Sequence, residues 1–197
     1  MIHDPSLLDR LNAFGPERFE GEVFRATRAN ADPLAASISG GRWSPPPDGD
    51  AGYSVLYTSL ERDGAIAEVA SFLADLTPIP GRRRIKVTRL AVTAARSIRL
   101  VRADLSELGV DLARYGERDY DQTQEIGAAL VFLGFDGLIA PSARWSCDNL
   151  MIFGDNHALT EKLEAVDEEL VEWREWAESH GLLAEASNAG TASEDTP

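Results

Sequence analysis

An α+β fold is predicted for this chain of 197 residues, and three observations predict it. Short apolar segments of strand type and amphipathic segments of helix type follow one another without the regular βαβ alternation of a parallel sheet. Hydrophobic residues at 44% supply a proper core, and the length suits one domain, or one domain plus a tail. Neither a GxGxxG turn nor a GxxxxGK[ST] loop occurs, which disfavours nucleotide chemistry on those scaffolds.

The elements are justified in chain order. Residues 5–14 carry Leu7, Leu8, Leu11 and Phe14 at helical spacing, and Gly15-Pro16 stops the turn. GEVFRAT (21–27) is strand-like; the Gly/Ser/Pro-rich stretch ending in GGRWSPPP (40–47) is a loop, because consecutive prolines remove the amide donors a central strand needs. SVLYTS (54–59) reads as a buried strand. GAIAEVASFLADL (64–76) puts Ile66, Val69, Ala70, Leu73 and Leu76 on one helical stripe, ended by Pro78-Ile79-Pro80. RIKVTRLAV (84–92) alternates in period two as a half-exposed strand, SIRLV (97–101) suggests a second, and ADLSELGV (103–110) a short helix. TQEIGAALVFLG (123–134) is a helix closed by Gly134, and two apolar strands, GLIAP (137–141) and NLMIF (149–153), flank the polar loop SARWSCD. From Leu159 to Glu178 the spacing of Leu163, Val166, Leu170, Trp173 and Ala177 predicts a further amphipathic helix, and SNAGTASEDTP reads as a disordered tail. The expected organisation is a body over 1–154, an acidic helical extension over 155–184 and a disordered tail over 185–197.

Charge is unevenly spread. The net charge is -14, yet residues 155–197 hold 12 acids against two bases, leaving 21 acids and 17 bases, a net of -4, for residues 1–154. Between Leu76 and Ala103 eight bases, from Arg82 to Arg102, occur without an acid. On an alternating strand this is a solvated face, or a surface to receive the acidic segment, rather than a nucleic-acid patch, since interleaved stacking aromatics are lacking. The opening MIHDPSLLDR has no basic start followed by an apolar run, and the longest apolar stretch is far short of about 20 residues; with the single Cys147 this predicts the cytoplasm and excludes an internal disulfide or a cysteine-rich zinc site.

His3, His157 and His180 lie outside the expected core without metal-ligand spacing, and no GxSxG element is present, so histidine-dependent hydrolysis is disfavoured. What remains is a dispersed polar set. Arg25 sits inside a strand, either as a solvated edge residue or as a buried fork suited to a pyrophosphate. Glu68 lies in the first turns of an otherwise apolar helix, where it complements the helix dipole or stabilises a cationic transition state. Ser142 follows GLIAP directly, as a turn residue or a polar contact at a strand end.

Taken together, VFRAT, GGRWSPP, VLYTSLERDGAIAEV and GFDGLIAPSAR followed by NLMIF resemble, in order and over about residues 20–154, the RES-domain family, named for an arginine, a glutamate and a serine. The resemblance implies an ADP-ribosyltransferase-like split sheet with surrounding helices and a cleft for NAD as substrate, with no metal. It implies a toxin paired with a helix-turn-helix antitoxin of Xre type, touching nucleic acid only through that partner, and arresting growth by cleaving the nicotinamide–ribose bond of NAD by hydrolysis or phosphorolysis. Two other functions share the scaffold: transfer of ADP-ribose to a protein from the same site, and a non-catalytic nucleotide- or partner-binding module. Matched position by position, Arg25, Glu68 and Ser142 are the implied catalytic residues. Arg42, Trp43, Tyr57, Arg144 and Asn149, with Arg25 and Ser142, are the implied NAD-binding residues. Family members often carry an aromatic residue shortly before GGRW, where this chain has Ser37-Ile38-Ser39; that ring is either absent here or supplied by Trp43 or Tyr53. The chemistry suits these residue types, because nicotinamide departs as a neutral group and needs no general acid.

Overall fold

In the computed structural model, which describes residues 3–47 and 52–183, helix α1 (Pro5–Phe14) begins at Asp4, whose carboxylate accepts the Ser6 amide. There follow β1 (Glu17–Arg28), β2 (Val55–Ser59), α2 (Arg62–Ala74), β3 (Arg84–Arg99), α3 (Arg102–Glu107), α4 (Asp121–Phe132), β4 (Gly137–Pro141), β5 (Asp148–Phe153), β6 (Leu163–Glu172) and α5 (Trp173–Ser179). The sheet runs β1-β2-β5-β4-β3-β6, and β1 also pairs with β3, so the first five strands close into a ring and β6 is added outside it. Only β3 and β4 run parallel.

Period-two alternation divides the apolar residues between two sides of the ring. Val23, Leu56, Leu90, Val92, Ile139, Leu150 and Ile152 fill its interior. Their neighbours in sequence, such as Val55, Leu138, Met151 and Phe153, face outward onto Leu7 and Leu11 of α1 and Ile126, Ala129 and Leu130 of α4. A third cluster packs Ile66, Ala70 and Leu73 of α2 with Trp173, Trp176 and Ala177 of α5 over Ile85 and Val87 of β3. The expected α2 stripe is present except for Leu76, which lies beyond the helix end and is exposed. The ring is weakest between β1 and β2, which share one residue pair, Phe24 with Ser59. There the strands part.

Two expectations are corrected. The segments 84–92 and 97–101 are one continuous strand, β3. The acidic helix expected over 155–184 is instead a turn region, the strand β6 and the short helix α5. β6 pairs antiparallel with β3 from Arg84 to Val92, and Val166 is the extra residue of a bulge, since Arg89 faces Asp167 while Leu90 faces Ala165. The apolar spacing that suggested a helix is thereby broken: Val166 and Leu170 are exposed, whereas Trp173 is fully buried. Local periodicity cannot register that the first half of β3 has an open edge, and filling that edge satisfies two rows of backbone groups at once. The expected disordered tail lies outside the described residues.

The acidic segment does meet the basic strand. Lys86 pairs with Glu168, Arg82 with Glu175, and Arg62 of α2 with Glu169. The pairs of Arg82 and Arg62, open to solvent, contribute roughly 0–1 kcal/mol each, whereas Lys86 is largely covered. Burial of Trp173 and Trp176 is the larger effect, on the order of 4–6 kcal/mol each as an upper estimate at about 25 cal/mol per Å². Replacing Trp173, whose indole N–H donates to the Gly81 carbonyl at 3.1 Å, by alanine is expected to lower folding stability by about 3–5 kcal/mol in urea unfolding. A loss below about 1 kcal/mol would show that α5 is not part of the folded body.

Candidate active site

A cleft of about 450 Å³ opens where β1 and β2 part, a size suited to a small-molecule ligand. Helix α2 turns Ala65, Glu68, Val69 and Phe72 toward it, one stripe at helical spacing. Facing them are Arg25 of β1, Tyr57 of β2, the 40–43 loop, and Arg144 and Asn149 around the β4–β5 connection. Close approach of α2 to the sheet depends on Gly64: a Cβ there would collide with the Ser59 hydroxyl and the Cys147 sulfur.

Glu68 is the centre of the polar arrangement. Its Oε1 accepts hydrogen bonds from the Ser142 hydroxyl and the Asn149 amide nitrogen, each at 2.8 Å. Among the described residues no donor reaches Oε2. Ser142 is buried, and its hydroxyl also accepts the backbone amides of Arg144 at 3.0 Å and Trp145 at 3.1 Å. Both acceptor positions are thus taken, and its one proton is directed at Glu68. Ser142 does not line the cleft, so the expected direct contact with a ligand is replaced by contact with the carboxylate. Asn149 presents its N–H side to Glu68, and its Oδ1 is buried without a partner.

The other expected residues fall into two groups. Arg25 donates to the Pro33 carbonyl at 2.9 Å, and burial pushes its guanidinium below the usual arginine range, opposed by nearby Asp32. Arg144 lines the cleft and, among the described residues, its guanidinium has neither an ion pair nor a hydrogen bond. These two cations retain donors for a ligand. Arg42 is more committed: its guanidinium lies between the rings of Tyr115 at 4.6 Å and Tyr120 at 4.7 Å and donates to the Glu117 carbonyl. Tyr57 is likewise occupied, its hydroxyl accepting the Trp43 amide at 3.2 Å and bonded to the Ser44 hydroxyl, and burial pushes its phenol above the usual tyrosine range. Gly41 is required beside it, since a Cβ would strike the phenol oxygen. Trp43 lines the cleft but is only 3% exposed, and Tyr53 turns away to donate to the Trp43 carbonyl.

The exposed ring in the cleft is Phe72, with Tyr120 and Phe24 as further aromatic lining. Phe72 lies four residues after Glu68, a spacing that could have singled it out; Tyr120 and Arg118 come from a loop with no such signal. Arg118 spans the cleft edge, paired with Asp75 and over the Phe72 ring. Burial raises the Cys147 thiol above its usual range, opposed by the Ser59 hydroxyl at 3.2 Å, which disfavours the thiolate a nucleophile needs. No histidine lines the cleft, and no group of His, Cys, Asp or Glu among the described residues could hold a metal.

Tyr115 supports this wall from behind, donating to the Pro141 carbonyl at 2.8 Å. Burial, opposed by Arg42, pushes its phenol up to about 12. An unfolded tyrosine ionises near 10, so above that pH the native state holds a proton the unfolded chain has lost, and stability should fall by about 1.4 kcal/mol per pH unit until pH 12. The difference in phenolate absorbance between the wild type and Tyr115→Phe checks this. A Tyr115 step at the unfolded value would contradict the buried geometry.

No curated protein matches the chain. Among solved structures, a chain of the M. tuberculosis MbcT–MbcA toxin–antitoxin complex superposes with a TM-score of 0.75 at 19% identity, covering 89% of this chain and 97% of that one, a likeness of fold. No helix among the described residues is long and apolar enough to cross a membrane. The model of the RES domain matches residues 22–175, a span that includes Arg25, Glu68 and Ser142 and runs through β6 into α5, and the chain belongs to the RES-domain family.

Proposed function

We propose that this chain is the NAD-consuming toxin of a bacterial toxin–antitoxin pair, cleaving the bond between nicotinamide and ribose in the cytoplasm. The observation that carries the reading is the Glu68 carboxylate, held by Ser142 and Asn149 through one oxygen and with the other, among the described residues, free of protein donors at the cleft. In the reaction the C–N bond breaks with its electron pair passing to nicotinamide, which neutralises the pyridinium ring. Positive charge develops on the ribose, and water or phosphate adds to the anomeric carbon and gives up a proton. A preoriented carboxylate stabilises that cation and holds a ribose hydroxyl or the incoming nucleophile.

Arg25 and Arg144 are the cations suited to the pyrophosphate, because their forks are not consumed by other contacts to the extent that Arg42 and Arg118 are. Ser142 acts on the substrate through Glu68. Tyr57, Trp43 and Arg42 shape the wall. The partner proposed is an Xre-type antitoxin; the structural neighbour is itself a chain of a toxin–antitoxin complex.

Purified Glu68→Gln is expected to release nicotinamide from NAD about 10²–10³-fold more slowly than the wild type, the scale for loss of a preorganised electrostatic group. Undiminished turnover removes Glu68 from the mechanism. Arg144→Ala is expected to raise KM about tenfold while kcat changes little, the pattern of lost ground-state binding. Induction in a bacterial host should deplete cellular NAD with the wild type and not with Glu68→Gln; growth arrest at constant NAD would reject the reading.

A further inference from the structure

We propose that Trp145 is a positioning residue, through which helix α5 braces the Ser142 loop and so orients Glu68. The proposal rests on the reading of Glu68 as the carboxylate that acts on NAD. Pro141 and Asp148 are paired across β4 and β5, so the loop between them is tied at its base. Within it the Ser142 amide donates to the Cys147 carbonyl at 2.8 Å. The direction of the Ser142 O–H is set by the amides of Arg144 and Trp145, which occupy its acceptor positions. Where the Trp145 backbone is held therefore helps decide whether the Ser142 proton is aimed at Glu68.

The Trp145 ring does not line the cleft. It lies instead against Trp176 of α5, with centroids 5.5 Å apart, and meets His180 edge-on at 5.6 Å. Trp176 and His180 are themselves stacked at 4.1 Å. The Trp176 indole N–H donates at 3.1 Å to Asp63, which precedes Glu68 on α2. Helix α5 thus contacts the two segments that carry the Ser142–Glu68 pair, the loop through Trp145 and α2 through Asp63. Displacing the Trp145 ring loosens one side of this brace without removing any group that faces the cleft.

A double-mutant cycle on nicotinamide release tests it. Trp145→Ala is expected to lower kcat about tenfold with KM within about twofold, and to cost less than about twofold when Ser142 is already alanine. Trp145→Phe, which keeps an aromatic contact, should restore most of the rate. An equal loss in both backgrounds, a change confined to KM, or no rescue by phenylalanine would overturn the proposal. If the wild type releases no nicotinamide, it is the reading of the reaction that fails, and amide hydrogen exchange decides the brace without substrate. His180 is exposed, so its replacement removes no buried core residue. Faster exchange at the amides of residues 144 and 145 in both His180→Ala and Trp145→Ala, returning toward the wild type in Trp145→Phe, supports the brace, and unchanged exchange in Trp145→Ala overturns it.

Discussion

Strand β3 carries most of the architecture, because each edge of its sixteen residues has a different assignment. One edge holds β1 from Glu17 to Arg28; the other holds β6 along its first half and β4 at Ser97–Arg99. A strand buried between neighbours must satisfy every backbone donor and acceptor it presents. In β3 that requirement joins the ring's start, its end and the C-terminal segment into one sheet. β1 is held so firmly along β3 that its contact with β2 can shrink to one pair, and the space left between β1 and β2 is the cleft.

The cleft is built around a charge that apolar surroundings would otherwise disfavour. Glu68 sits on a helix whose remaining stripe is apolar, and a half-buried carboxylate is stable only with donors aimed at it. Ser142 and Asn149 come from the ends of β4 and β5, far from Glu68 in sequence, and both reach the same oxygen. The backbone amides around Ser142 complete the arrangement by leaving its hydroxyl no other direction. Geometry of this kind is preorganised before any ligand arrives, as the proposed electrostatic stabilisation of a developing cation requires.

Charge and packing contribute differently to the C-terminal segment. Acids on β6 and α5 face Lys86 of β3, Arg82 just before it and Arg62 of α2, in line with the opposed charge runs seen in the sequence, but two of the three pairs are open to solvent and individually weak. Trp173, Trp176 and Ala177 are buried against α2, and this apolar contact holds the segment in place. Charge complementarity selects the partner edge; tryptophan burial supplies the larger energy.

Alternating and helical spacing made α1, α2, α4 and strands β1, β2, β4 and β5 legible, since each buries one face whose period appears directly in the chain. The site was partly legible for the same reason: Glu68 stands out as a lone carboxylate on an apolar stripe, and Ser142 as a hydroxyl at a strand end. The segment 163–172 was not, because its exposed strand has no periodic burial and its conformation is imposed by the open edge of β3. Nor could the sequence separate Arg25 and Arg144, which keep donors for a ligand, from Arg42, held between two tyrosine rings. By itself the sequence determined the class of fold, the family and a set of candidate site residues, all properties of local pattern and residue type. Tertiary structure alone decided which strand edge the acidic segment fills, which oxygen of Glu68 is occupied and which cations remain available, because those depend on contacts between residues many positions apart.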